Sequence, residues 1–228
     1  MTSPTSPFPP ASSSPPLRGI TLIELLVVIA IIAVLAALMF PVINRIIAAS
    51  DSAKSIHQLR SVGVGILLYA NDNDNTLPGP LFTSIQPRFR QSDTGQLATR
   101  IAPYLGYTVN NTWQAMPEML FASWKKLASR YNPNTGGLST LMCNWNDFDR
   151  NTIKTRPFGY PGHDPWSSGP IRLNQIPDPN RLWLVCEQAF TVNGQPTFLT
   201  KPNSRMFLFA NGQVRLEPSN FVSYPRNL

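Results

Sequence analysis

The sequence predicts an α+β protein. One long N-terminal helix, transmembrane in its first part and an amphipathic stalk in its second, packs on a small antiparallel β-sheet head. Three observations carry that prediction. From Ile20 to Phe40, 21 residues, only Thr21 and Glu24 are polar; such a helix is about 30 Å long, the thickness of a bilayer core. From Val42 to Tyr69 apolar residues recur at three- and four-residue steps, the period of a half-buried helix. After Thr76, sixteen prolines break the chain into short elements, including two apolar runs on either side of Asn211-Gly212.

Residues 1–19 read as a removable leader. Met1–Leu17 has no charged side chain and holds six prolines, a composition with little to pack. Arg18-Gly19 closes it. The apolar run that follows is too long for the core of an ordinary secretory peptide, and within it Glu24 is the oddity. A carboxylate inside a membrane segment costs up to ~3 kcal/mol at the bilayer centre, so it usually has a partner. A cut after Gly19 would give Ile20 a positive amine. Glu24, four residues on, falls one helical turn along the same face. Amine and carboxylate could then neutralise each other, within one chain or between neighbours. The plainer alternative is a signal anchor with a Glu at the membrane rim.

Gly19-Ile20-Thr21-Leu22-Ile23-Glu24, followed by Leu25-Leu26-Val27-Val28-Ile29-Ala30-Ile31-Ile32-Ala33, resembles the class III signal of type IV pilins and type II secretion pseudopilins. Ile20 stands where Phe is commoner. The resemblance implies cleavage between Gly19 and Ile20 by prepilin peptidase, methylation of the new N-terminus, and pairing of Glu24 with the amine of an adjacent subunit. It further implies a pilin-like fold and a single-pass inner-membrane protein. The head would lie in the periplasm or on an extracellular filament. The expected function is that of a structural subunit of a type II secretion pseudopilus or a type IV pilus-like filament, among other pilin or pseudopilin subunits. The alternative is a membrane-anchored extracytoplasmic binding module, for DNA or an envelope ligand, that enters no filament.

Four segments follow: leader 1–19, filament-core or transmembrane helix 20–40, stalk 41–70 and head 71–228. Pro41 removes a backbone donor, which predicts a kink or a loosened turn, or else simply ends the span. On the stalk, Ile43, Ile46, Ile47, Ala53, Ile56, Leu59, Gly63, Ile66 and Leu67 form the expected apolar face, and Gly63 and Gly65 weaken the helix or let a sheet approach. The run Tyr69-Ala70-Asn71-Asp72-Asn73-Asp74-Asn75 reads as a helix exit, because Asn and Asp compete for backbone bonds. Its sharper reading is a calcium loop built on Asp72 and Asp74, although it lacks the Gly and distal Glu of an EF-hand. The exit also looks like that of large pseudopilin-like proteins of planctomycete and verrucomicrobial type.

In the head, Gln96–Leu105 and Pro117–Tyr131 are expected helices. Leu141-Met142-Cys143 is an expected strand, and Leu182–Glu187 is apolar enough to be central in a sheet. Arg205–Ala210 and Gln213–Leu216 flank Asn211-Gly212, which predicts a hairpin with a type I′ turn. In the resembling family this hairpin turn reads Asp-Gly-His; Asn211 and Gln213 replace the outer two residues here. Cys143 and Cys186 permit one disulfide outside the cytoplasm or two buried free thiols.

The net charge of +7 is spread without a dense block, so a solvated basic surface is expected. Nucleic acid remains a conceivable partner without a motif to support it. No cofactor is expected. Neither cysteine has a CxxC or His partner for zinc. His57, His163-Asp164 and Glu187 do not assemble a catalytic pattern in the sequence, so no enzyme is expected. The chain instead reads as the substrate of a peptidase.

Overall fold

The computed structural model describes residues 20–121, 139–144, 156–161, 169–188, 190–192, 195–197 and 204–218. Helix α1 runs from Leu22 to Asp72 and passes through Pro41. The chain divides into two units, Met1–Ile46 and Ile47–Leu228.

In the first unit every described residue is exposed, apolar side chains included. In the second unit α1 gains a buried face made by Ser55, Leu59, Val62, Gly63, Gly65, Ile66 and Ala70. The face thus begins later than the periodicity suggests: Ile43, Ile46 and Ile47 are exposed, as are Ala53 and Leu67. Spacing locates a stripe, but burial requires something to cover it.

The sheet supplies that cover. Strands β1 (Ser84–Ile85), β4 (Leu141–Cys143), β5 (Trp183–Glu187), β8 (Ser204–Phe209) and β9 (Val214–Pro218) form one antiparallel sheet in the order β1-β4-β5-β8-β9. As its composition predicts, β5 is central and buried along its whole length. Ribbons β2–β3 (Arg88–Phe89, Gln114–Ala115) and β6–β7 (Phe190–Val192, Gln195–Thr197) stand apart from it.

Alternation along β8 sends Met206 and Leu208 into the main core with Leu59, Val62 and Ile66, while Phe207 and Phe209 join Trp183, Cys186 and Met142 on the other face. Trp183 meets Phe207 edge-on at 5.4 Å. An irregularity between Trp183 and Val185 breaks the alternation in β5, and both Leu184 and Val185 reach the main core. Gly63 is where the helix meets this sheet: a Cβ there would lie 2.8 Å from Leu208 Cδ1. Gly65 faces α2 (Leu97–Ile101) and the following 3-10 turn Ala102–Leu105, with Ile101 Cβ at 3.2 Å and Leu105 Cγ at 3.3 Å from the same construction. Gln96–Leu105 is therefore helical as expected.

Two local expectations change. The Asn-Gly hairpin does not use a type I′ turn, which needs positive φ at both central residues. Gly212 has φ +81°, but Asn211 is not among the positive-φ residues. Gly212 N–H donates to Phe209 O at 2.9 Å and Phe209 N–H to Gln213 O at 2.8 Å. This is a three-residue loop with the glycine in a bulge. Asn211 is held by tertiary bonds instead, its N–H donating to Pro179 O at 3.1 Å and its Nδ2 to Asn180 Oδ1 at 2.7 Å.

At Pro117 the expected helix starts only as a 3-10 turn, Pro117–Met119, and Leu120 leaves helical geometry. Gln58 Nε2 donates to Pro117 O at 2.7 Å and to Leu120 O at 2.9 Å, taking carbonyls that a continuing helix would use itself. The rest of that expected helix lies outside the described residues. The helix exit falls inside the run Tyr69–Asn75: α1 ends at Asp72, Asp74 and Asn75 adopt left-handed φ of 52° and 58°, and Asn75 N–H closes onto Ala70 O at 2.8 Å.

Candidate functional site

Helix α1 begins on a reciprocal cap. Thr21, immediately before the first helical residue, donates from its N–H (2.8 Å) and its hydroxyl (2.9 Å) to Glu24 Oε2. Glu24 N–H returns a bond to Thr21 Oγ1 at 3.3 Å. This is a capping box, in which residues three apart satisfy helix-end donors that have no partner within the helix. Both Thr21 donors fall on one carboxylate oxygen; among the described residues, Oε1 carries no bond. Ile20, one residue ahead, is 79% exposed. The site therefore combines an accessible helix start, a carboxylate fixed one turn into the helix, and an open second oxygen. Sequence reasoning singled out Ile20 and Glu24 but missed Thr21. The Thr-x-x-Glu spacing was the signal that could have found it.

Behind the cap, α1 is long and apolar enough to cross a membrane. Its most apolar 18-residue window has a mean hydropathy of 3.1, and none of that window is buried. A soluble helix would hide such a surface against a core. Gly19, on the leader side of the predicted cleavage point, lies outside the described residues. Pro41 lies inside α1 and not at its end.

The remaining candidates do not converge. Asp72 and Asp74 are both exposed at the helix exit, where Asn73 Nδ2 donates to Tyr69 O at 2.8 Å. Among the described residues no group of three or more His, Cys, Asp and Glu side chains could hold a metal ion. His57 is exposed on α1. Glu187 is buried at the end of β5, with Oε2 accepting Met206 N–H at 3.5 Å. His163-Asp164 lies outside the described residues.

Cys143 and Cys186 are both buried and free, so the disulfide reading gives way to the thiol reading. The reason is register. Cys186 pairs with Met142, and Cys143 with Val185, so the two thiols sit one residue out of step on adjacent strands. Successive residues of a strand face opposite ways, and Cys143 joins the main core while Cys186 joins the outer cluster. Burial pushes the Cys143 thiol well up, with a smaller push from Cys186. Burial also raises Cys186 to about 12, against the lowering influence of Arg205. Neither is a poised nucleophile.

Residues 18–40 match the family model of the prokaryotic N-terminal methylation motif. No curated protein and no solved structure matches the chain. The matched span runs from Arg18 to Phe40, the end of the apolar run, with the capping box inside it. A long N-terminal helix and a small antiparallel sheet are the α+β elements of a pilin-like fold. The N-terminal segment is thus a type IV pilin or pseudopilin-like prepilin signal, of the kind that prepilin peptidase processes.

Proposed function

We propose that this chain is a structural subunit of a type II secretion pseudopilus or type IV pilus-like filament, matured by cleavage between Gly19 and Ile20. The observation that supports it most is the exposed helix start inside the methylation motif, with Glu24 fixed three residues from Thr21 and one oxygen open. Cleavage would place the new Ile20 amine beside this carboxylate. An amine donated by a neighbouring subunit would neutralise a charge that is costly in a bilayer. That exchange would draw the subunit out of lipid and into a helix bundle. The exposed apolar surface from Ile20 to Ile47 would pack in the filament core. The protein would cross the inner membrane once, with its head outside the cytoplasm. No catalytic role is assigned to it.

Sheared filaments test this reading. In cells that carry the assembly machinery, the wild-type chain should appear in the sheared fraction. Glu24→Ala should insert in the membrane and be absent from filaments. Normal incorporation of Glu24→Ala would remove the role given to this residue.

A further inference from the structure

The hydrogen bonds at the start of α1 fix which carbonyls the helix takes up. Thr21 O accepts Leu25 N–H at 3.2 Å, while among the described residues no backbone N–H bonds Ile20 O. In a longer helix Glu24 N–H would go to Ile20 O, four residues back. It goes instead to Thr21 Oγ1 at 3.3 Å, and Thr21 N–H is held in turn by Glu24 Oε2 at 2.8 Å. The Thr21 side chain thus diverts the N–H that would carry the helix one residue further toward the leader.

A helix start is a competition between cap residues. Upstream of Thr21 the sequence reads Leu17-Arg18-Gly19-Ile20. Leucine and isoleucine cap poorly, whereas glycine ranks with threonine. Gly19 is therefore the next start available once Thr21 no longer caps. A cap at Gly19 would put the Gly19 carbonyl at the head of the ladder, accepting Ile23 N–H. That carbonyl belongs to the peptide bond at which the leader is removed.

We infer that Thr21 is a positioning residue for maturation: its cap keeps the Gly19 carbonyl out of the helix and open to attack. The inference rests on the processing reading given under the proposed function. Hydrolysis breaks the Gly19–Ile20 C–N bond; water gives its hydroxyl to the Gly19 carbonyl carbon and its proton to the Ile20 nitrogen. Negative charge develops on the carbonyl oxygen, which the peptidase itself must stabilise. An oxygen already engaged by Ile23 N–H and turned along the helix axis is a poorer target.

The test follows cleavage of the full chain by prepilin peptidase in neutral detergent, with loss of residues 1–19 read by intact mass over time. Thr21→Ala removes the cap and favours helix, so its kcat/KM should fall roughly 5-fold, the population ratio that one N-cap is worth. Only the competent fraction of the substrate shrinks, so KM should rise while kcat holds. Thr21→Ser and Thr21→Asn each restore a cap, the second without a hydroxyl, and both should be cut at the wild-type rate. Head melting should be the same in all four chains, since Thr21 lies outside the unit that carries the core. Wild-type kinetics in Thr21→Ala would overturn the inference. So would slow cleavage of Thr21→Asn, which would mean that the peptidase reads the hydroxyl itself. A wild-type chain left uncut at Gly19–Ile20 would overturn the processing reading, and the inference with it.

Discussion

The two parts of helix α1 are built from similar residues and meet opposite environments. From Ile20 to Ile47 its large apolar side chains are exposed without exception. From Ser55 to Ala70 one stripe is buried against the sheet and α2, while Val64 and Leu68 on the other side remain exposed. The comparison teaches that apolar content alone does not place a helix. The first part is apolar all round, which suits lipid or a bundle of like helices. The second is apolar on one side, which suits a single covering sheet.

The largest effect that would sharpen this contrast is truncation of matched isoleucines. Ile66→Ala removes a fully buried side chain from the main core and should cost about 2–5 kcal/mol of head stability. Ile32→Ala, in the exposed part, should leave head melting within about 0.5 kcal/mol of the wild type. Calorimetry in detergent reads both, and equal losses would break the comparison. A smaller change is expected at the hairpin. Gly212 has φ +81°, so Gly212→Ala should destabilise the head by roughly 1 kcal/mol, read from the shift in the melting midpoint.

At the start of the first part, Thr21→Val removes the hydroxyl of the cap. A lost N-cap costs about 1 kcal/mol, so amide exchange should quicken in the first turn of α1 and stay unchanged around Leu59. Unchanged exchange at both ends would show that the capping box does not hold the helix start.

The buried thiols give a pH test of the head alone. The Cys186 thiol is raised by burial from an ordinary 9.0 to about 12. The folded state then holds a proton that the unfolded chain releases sooner. Its contribution to stability is complete below about pH 9 and is lost as pH rises toward 12. Cys186→Ala should flatten the alkaline loss of stability. An unchanged slope would mean the thiol is not buried as described.

How much of this was legible depends on how local each cause is. The anchor and its carboxylate were readable because length, apolarity and the Gly19–Glu24 motif lie in one short stretch. Strand β5 was readable as central because its composition is apolar throughout. The hairpin strands were readable, but the turn geometry was not: Asn211 bonds to Pro179 and Asn180 rather than following the preference of Asn-Gly. The helix expected from Pro117 depended on Gln58, far off in the chain, whose amide takes the Pro117 and Leu120 carbonyls. The fate of the cysteines rested on a one-residue offset between β4 and β5, which no spacing in the sequence reveals. Local chemistry was readable; partners chosen by tertiary contact were not.

The central claim is that the first part of α1 is a processed prepilin signal. Intact-mass and N-terminal peptide measurement after co-expression with prepilin peptidase tests it most directly. The predicted product lacks residues 1–19 and begins with N-methylated Ile20, and Gly19→Val should block its formation. A full-length chain, or a cut at any other bond, would contradict the account.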